Sequence, residues 1–258
     1  MIRPNLCLRC LAGAMLVATA TAAQAGGTVI FRDDFNGSQL DTTAWGVGTW
    51  KLGRTQLGNV PVVSGGMAQL RFDTYRFTGA EIFSKTNYAL QNGVEFEARV
   101  RMTNLPSGLV TSLFTYNTLN AKSDELDIEI LSKQVNLSSG GAPLLLTTWN
   151  DWDEANPTYS DGVHHASQSA PVAGLDVNQF HTYTIRWLPG RTEWLVDGVQ
   201  VASSTQAQPD LASPIRLNFW APASSWTDAY DARLKPATSK KQNKSYYYDL
   251  DWVEVRRL

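Results

Sequence analysis

Nine residues near the middle of the chain, 123–131, constrain its fold more than any other stretch. Within them Glu125, Asp127 and Glu129 alternate with apolar residues at a period of two, the pattern of a β-strand with one polar face and one face in a core. The apolar positions are Leu126, Ile128 and Ile130. Three carboxylates on one face repel one another, so folding stability alone would not select them. We therefore expect these acids to serve a chemical purpose.

Carboxylates at alternate positions of a strand fit three kinds of site. They can form a solvated face, share a hard cation such as calcium, or act as the two carboxyl groups that flank a sugar bond in a glycosidase. Cα atoms four residues apart on a strand are roughly 13 Å apart, so Glu125 and Glu129 would have to lean toward each other. Asp127 could hydrogen-bond one of them and help to keep the other protonated. From these residues alone, the glycosidase site, the solvated face and the calcium site all remain open.

The rest of the chain is predicted to be all-β. Short alternating segments separated by Gly, Pro, Asn and Asp dominate from residue 26 onward, and no segment predicts a long helix. Gly65-Gly66 and Asp197-Gly198 predict tight turns. Residues 150–169 predict a long polar loop bordering a cleft. With no repeat and no linker, residues 26–258 are expected to form one domain, a two-sheet antiparallel β-sandwich.

Residues 1–25 have the composition of a signal peptide. Arg3 and Arg9 give a positive segment before an apolar run over residues 11–20. Ala23-Gln24-Ala25 fits a cleavage site. We predict cleavage after Ala25 and a secreted protein, extracellular or periplasmic. The apolar run is too short for a permanent membrane span, so no membrane association is expected after cleavage. Both cysteines lie in this segment, which leaves stability to the core.

Charge and composition favour a neutral polysaccharide as the partner. The 24 acidic residues exceed the 22 basic ones, and removal of the signal peptide would increase the excess. A nucleic acid would need a basic patch, so none is expected as a partner. Nine Trp and nine Tyr offer flat rings for sugars as well as bulk for a sandwich core. The three histidines lack metal-ligand spacing, and we expect a monomer that needs no cofactor for catalysis.

The acidic motif resembles the Glu-x-Asp-x-Glu signature of glycoside hydrolase family 16, in the uninterrupted form of bacterial lichenases (endo-β-1,3-1,4-glucanases). The similarity runs from about residue 80 to the end of the chain. The matching segments are Phe114-Thr115-Tyr116, Phe180-His181-Thr182-Tyr183, Trp187-Leu188-Pro189-Gly190, Trp194-Leu195-Val196-Asp197-Gly198, Asn218-Phe219-Trp220 and Tyr248-Asp249-Leu250-Asp251-Trp252-Val253. Each segment is weak alone, but the set is specific. The resemblance implies a concanavalin-like jelly roll with a concave substrate cleft.

The resemblance also implies roles for individual residues. Glu125 would be the nucleophile, Glu129 the general acid/base and Asp127 an assisting carboxylate. Five further positions match residues that contact the sugar in lichenases: Glu81, Tyr116, Trp149, Asn218 and Trp220. Asn218 and Trp220 are two residues apart and would share one strand face.

Other positions depart from the lichenase pattern or add to it. Ser123 stands where lichenases have Trp directly before the motif, and Thr147-Thr148-Trp149 replaces a segment with Asn and Tyr. The preference among sugar subsites therefore stays open. Lichenases also carry a structural calcium, and Asp34, Gly66 and Asp251 occupy comparable positions. A structural calcium at these three residues is an additional expectation.

The sequence therefore predicts a secreted, retaining, endo-acting β-glucanase that hydrolyses a polysaccharide by double displacement. Mixed-linkage β-1,3-1,4-glucan is the first choice of substrate, with xyloglucan and β-1,3-glucan as alternatives. A transglycosylase would form the same covalent intermediate and pass it to a sugar hydroxyl. The alternative from another class is a non-catalytic, lectin-like carbohydrate-binding module, and the intact pair of outer Glu residues argues against it.

Overall fold

The computed structural model describes residues 26–138, 140–158 and 161–258, so the predicted signal peptide lies outside the described residues. Strands dominate the described chain. The first nine are β1 (Thr28–Asp33), β2 (Trp45–Val47), β3 (Lys51–Leu52), β4 (Thr55–Leu57), β5 (Val62–Val63), β6 (Ala68–Asp73), β7 (Thr78–Ser84), β8 (Val94–Met102) and β9 (Val110–Leu119). They are followed by β10 (Lys122–Leu131), helix α1 (Ser132–Leu137), β11 (Pro143–Asp153), β12 (His165–Pro171), β13 (His181–Leu188), β14 (Arg191–Val196), β15 (Val199–Ser204), β16 (Ile215–Trp220), a 3-10 turn (Lys240–Gln242) and β17 (Ser245–Arg257).

Seven strands form the sheet that carries the acidic motif, which we call the cleft sheet. Their order is β2-β7-β16-β9-β10-β11-β12, and every neighbouring pair is antiparallel. The acidic motif lies on β10, as its period of two predicts. Leu126, Ile128 and Ile130 are buried in the core, so the acids of β10 project from the opposite face.

The second sheet, called the outer sheet, has the order β15-β14-β13-β8-β17. On its other edge, β17 pairs with β6 along its first half and with β1 along its second half. The short strands β3, β4 and β5 extend this side, and β4 forms a short parallel pairing with β7 of the cleft sheet. The predicted two-sheet antiparallel sandwich is confirmed, and β4–β7 is the one parallel pair among the described strands.

The hydrophobic core lies between the two sheets. Its largest fully buried side chains include Trp45, Trp187, Trp194, Tyr183, Tyr248, Phe72, Phe96 and Phe219. Burying a side chain of this size stabilises a fold by about 1.5–3 kcal/mol, so aromatic residues on both sheets contribute much of the driving force. Among the described residues, no helix is long and apolar enough to span a bilayer.

The polar loop predicted over residues 150–169 is much shorter than expected. Its first residues continue β11 to Asp153, and its last residues belong to β12, which begins at His165. β12 is an edge strand that pairs only with β11 among the described strands. Its sequence is rich in Ser, Ala and Gln, which favour strands weakly. The pairing that makes it a strand comes from β11 and cannot be read from its own residues.

Candidate active site

The acidic face of β10 opens onto a cleft of about 600 Å³. The cleft lies over the face of the cleft sheet that points away from the core, and it extends from β7 across β16 and β9 to β10. The residues that line it are Trp50, Lys51, Leu52, Glu81, Ser112, Phe114, Tyr116, Glu125, Asp127, Glu129, Glu154, Arg216, Asn218 and Trp220. The structure therefore brings the three acids of β10 together with four of the five predicted sugar-contacting residues.

Strand register aligns residues that are far apart in the sequence. Glu129 lies opposite Ser112 of β9, and the Ser112 hydroxyl is 3.5 Å from Glu129 Oε1, a long hydrogen bond. Ser112 lies opposite Asn218 of β16, and Asn218 lies opposite Glu81 of β7. One row across four strands thus joins the predicted acid/base to two predicted sugar contacts.

Trp149 supports the middle carboxylate. It pairs with Glu125 in register, and its indole Nε1 donates a hydrogen bond of 3.2 Å to Asp127 Oδ2. The ring of His165 packs against the same indole at a tilt of 34°, with centroids 3.8 Å apart. Trp149 is not among the side chains that line the cleft. The structure thus shows its contact with a carboxylate, and its contact with a sugar stays a prediction. Tyr116, across from Glu125 on β9, does line the cleft.

Arg216 lines the cleft and forms an ion pair with an acidic residue of the lining. Its Nη1 is 2.8 Å from Glu81 Oε1, and its Nε donates a bond of 3.3 Å to the Tyr116 carbonyl. The guanidinium also lies over the rings of Phe83 and Trp50 at 4.9 and 5.8 Å, a favourable cation–π geometry. These contacts fix Arg216 and, through it, the carboxylate of Glu81.

Burial raises the pKa of the three β10 carboxyl groups that line the cleft. Desolvation raises the pKa of Glu125 to about 7, although the hydrogen bond with Asp127 and the charge of Arg216 act in the opposite direction. Desolvation and the charge of Glu125 raise the pKa of Glu129 to about 8. The pKa of Asp127 is raised by burial and by the acid on either side. Glu125 therefore ionises first, while Glu129 keeps its proton to higher pH.

Two polar atoms in the cleft lack a hydrogen-bond partner among the described residues. They are Asn218 Oδ1 and Trp220 Nε1, and both are buried. Buried polar groups are nearly always hydrogen-bonded, so both atoms are available to a bound ligand. The Trp220 ring itself packs against Trp226 with centroids 5.7 Å apart. Trp220 therefore combines apolar packing with a position in the cleft.

Asp124, the fourth acid of the motif, has a structural position. Its carboxylate is buried and accepts hydrogen bonds from three backbone N–H groups, those of Asp151 at 2.8 Å, Asp210 at 2.7 Å and Leu211 at 2.9 Å. The pairing of β10 with β11 shifts register between Ser123 and Glu125. Asp124 thus joins the end of β11 and the loop before β16 to the start of the acidic motif.

Sequence reasoning missed several residues that line the cleft. Arg216 shares a strand face with Asn218 and Trp220, so the period of two in β16 could have identified it. The same period on β9 would have placed Ser112 beside Tyr116. Other residues carry no such signal, since they come from the β3–β4 hairpin or the loop after β11: Trp50, Lys51, Leu52 and Glu154.

The expected calcium ligands are held by other contacts. The Asp34 carboxylate accepts a bond of 3.0 Å from Arg32 Nε, and that of Asp251 pairs with Arg99. An arginine beside each carboxylate opposes a divalent cation. Among the described residues no group of three His, Cys, Asp or Glu could hold a metal ion. The carboxylates of Asp34 and Asp251 each contact an arginine, and calcium binding at these residues and Gly66 stays a prediction that metal analysis would test.

Comparison with known proteins agrees with this geometry. The sequence profile of the family described as Glycosyl hydrolases family 16 matches residues 51–253. The chain belongs to glycosyl hydrolases family 16. The matched range runs from β3 into β17 and contains every acidic residue that lines the cleft. The resemblance that the acidic motif indicated is thereby confirmed.

Relatives within family 16 include β-glucanases. One from Fibrobacter succinogenes is 30% identical over 193 residues, which are 69% of this chain and 46% of that protein. The β-glucanase structure of Bacillus licheniformis superposes with a TM-score of 0.68 at 22% identity, covering 91% of this chain and 100% of that one. The laminarinase catalytic domain of Thermotoga maritima superposes with a TM-score of 0.67 at 14% identity, covering 90% and 98%. The chain spans about half the length of the curated relatives it matches, and the structural similarities establish the shared fold.

Proposed function

We propose that this family 16 chain is a retaining, endo-acting β-glucan hydrolase. The observation that carries the proposal is the set of three carboxyl groups on one face of β10 that line an open cleft, with Asp127 buried and the two Glu residues partly exposed. A glycosidase needs one ionised carboxylate and one protonated carboxylic acid. The different pKa values of Glu125 and Glu129 supply such a pair.

In the first step the ionised Glu125 attacks the anomeric carbon while Glu129 donates its proton to the leaving glycosidic oxygen. The glycosidic bond breaks, and an ester forms between the sugar and Glu125. In the second step Glu129, now a carboxylate, takes a proton from water, and the water oxygen displaces Glu125 from the anomeric carbon. Both carboxyl groups return to their starting states, and the product keeps the β configuration.

Neighbouring side chains support these two steps. Asp127 hydrogen-bonds Glu125 and is itself held by Trp149. The charge of Arg216 favours the ionised form of Glu125. The free amide oxygen of Asn218 is available to a sugar hydroxyl. A cleft that crosses four strands of the cleft sheet can hold several sugar units, which suits cleavage within a chain.

Mixed-linkage β-1,3-1,4-glucan is the proposed substrate. Relatives from Fibrobacter succinogenes and Paenibacillus polymyxa are named β-glucanases, and the cleft lining is rich in acids, which favours a neutral polymer. β-1,3-glucan and xyloglucan are the next choices. The proposal includes export with cleavage after Ala25, action as a monomer and no membrane attachment; N-terminal sequencing and solution mass measurement test these points.

The test compares wild type with Glu125→Gln on a panel of soluble β-glucans. We expect internal cleavage by the wild type and a loss of about 1000-fold or more in kcat for the variant. Glu97→Gln makes the same chemical change on the outer sheet, outside the cleft, and should keep full activity. Proton NMR of the first product should show the β anomer.

Other outcomes would contradict the proposal. Products longer than the donor would identify a transglycosylase that uses the same intermediate. Glycan binding without turnover, abolished by a chelator, would identify a lectin-like module. Turnover that survives in Glu125→Gln would remove Glu125 from the mechanism.

A further inference from the structure

A second cavity, of about 930 Å³, lies outside the cleft. We call it the basic cavity. It is bordered by the start of α1, the loop before β9 and the irregular segment between β16 and β17. Its lining residues are Thr74, Pro106, Ser107, Lys133, Asn136, Asp231, Arg233, Leu234, Lys235, Pro236, Ala237, Thr238, Gln242, Lys244 and Tyr246. The proposed glucanase mechanism uses none of them.

The basic cavity and the cleft have opposite charges. Five acidic and two basic side chains line the cleft, whereas the basic cavity has four basic side chains and one acid. That acid, Asp231, is paired with Arg233 at 2.6 Å. Lys133, Lys235 and Lys244 form no ion pair with any carboxylate in the described part of the chain. Three positive charges therefore remain, in a protein whose overall charge is negative.

The backbone that carries these lysines is firmly held. Lys244 N donates a bond of 2.9 Å to Thr74 Oγ1, and Ala237 N donates one of 2.9 Å to the Thr74 carbonyl. Arg54 Nη1 donates a bond of 3.0 Å to the Leu234 carbonyl. On the opposite wall Lys133 Nζ is 2.6 Å from the Thr227 carbonyl. The backbone at these lysines is thus fixed around one cavity, and the ammonium group of Lys133 is held as well.

The remaining lining suits a carbohydrate. The wall also contains hydroxyl and amide side chains: Ser107, Asn136, Thr238 and Gln242. The Ser107 hydroxyl lies beside the carboxylate of Asp231 and lowers the pKa of that carboxyl by a hydrogen bond. The half-buried ring of Tyr246 adds an apolar surface of the kind that packs on sugar C–H groups. The volume falls within the range of small-molecule sites and exceeds what a single phosphate would fill.

We propose that the basic cavity binds an acidic polysaccharide, whose carboxylate or sulfate groups pair with Lys133, Lys235 and Lys244. The acids of the cleft repel the same polymer, so the two cavities would bind different glycans. This proposal rests on the lining of the basic cavity and is independent of which β-glucan the cleft cleaves.

The test measures binding by calorimetry to an oligogalacturonate, a sulfated oligosaccharide and a neutral oligosaccharide of equal length. We expect binding to at least one acidic probe, none to the neutral probe, and weakening by added salt. The double variant Lys235→Gln/Lys244→Gln should bind about tenfold more weakly. The matched control Lys85→Gln/Arg257→Gln removes two exposed charges that do not line the basic cavity, and should bind like the wild type.

Activity on neutral β-glucan separates this proposal from the glucanase proposal. The acidic probe should not inhibit glucan hydrolysis, and both double variants should keep the melting temperature and hydrolysis rate of the wild type. The proposal is overturned if neither acidic probe binds, if the control loses as much affinity as the cavity variant, or if the probe competes with glucan. Equal affinity for a DNA fragment of the same charge would show a general cationic surface and would overturn it as well.

Discussion

The indole of Trp149 donates a hydrogen bond of 3.2 Å to the carboxylate of Asp127. A side chain of β11 thus anchors the middle of three carboxyl groups on β10. We predict that Trp149→Phe, which keeps a ring against His165 but removes the donor, lowers kcat about tenfold with little change in KM. Steady-state kinetics on the cleaved β-glucan measure both. A rise in KM alone would show that Trp149 instead contacts the sugar.

Replacement of Arg216 should change the pH dependence of hydrolysis. Its positive charge lowers the pKa of Glu125, so Arg216→Gln should raise that pKa. Because Glu125 acts as the ionised form, the acidic limb of the kcat/KM profile should move to higher pH. Arg216→Lys keeps the charge and should move the limb less. An unchanged acidic limb in Arg216→Gln would contradict this electrostatic role.

The raised pKa of Glu129 makes the free energy of unfolding depend on pH. In the unfolded chain this carboxyl ionises near its ordinary pKa of about 4.3, whereas in the fold its pKa is about 8. The contribution of this carboxyl group to stability is therefore full below about pH 4 and is lost as pH rises to the folded pKa. Glu129→Gln removes this loss, so its free energy of unfolding should exceed that of wild type by on the order of 1–3 kcal/mol at about pH 9.

Thermal unfolding across pH measures the effect of Glu129→Gln. The difference from wild type should shrink toward about pH 4, where the carboxyl is protonated in both states. If Glu129→Gln and wild type differ in stability by the same amount at both ends of the pH range, the cause is the packing of the new side chain and not the ionisation of Glu129.

Removal of the Asp124 carboxylate should destabilise the fold without touching the cleft. Three backbone N–H groups, one near the end of β11 and two in the loop before β16, would lose their buried acceptor, and we expect a loss of about 2–4 kcal/mol for Asp124→Ala. Urea unfolding measures it. Asp153→Ala serves as the control, since Asp153 bonds only within its own exposed turn and should cost less than about 1 kcal/mol. Equal losses in both variants would contradict the anchoring role.

The strands with strong alternation could be predicted from the sequence, and the acidic face of β10 is the clearest example. β12 could not, because its polar residues become a strand only through pairing with β11. The contact of Arg216 with Glu81 also could not be predicted. It depends on the register between β16 and β7, strands that are more than 130 residues apart in the chain.

The direction of a side chain is a further limit of sequence reasoning. The period of two correctly assigns Trp149 to the same sheet face as the acids. It does not reveal that the indole bends toward Asp127 and is backed by His165. The sequence alone therefore does not decide whether the indole of Trp149 contacts a sugar or a neighbouring carboxylate.

The placement of β17 has a consequence for how the chain reaches its native state. This strand follows all the others described, yet it lies inside the outer sheet, between β8 on one side and β6 and β1 on the other. During synthesis one edge of each of these three strands stays unpaired until residues 245–257 have left the ribosome. Such long-range pairing slows folding. The sandwich therefore closes late and as a unit, and not strand by strand as the chain emerges.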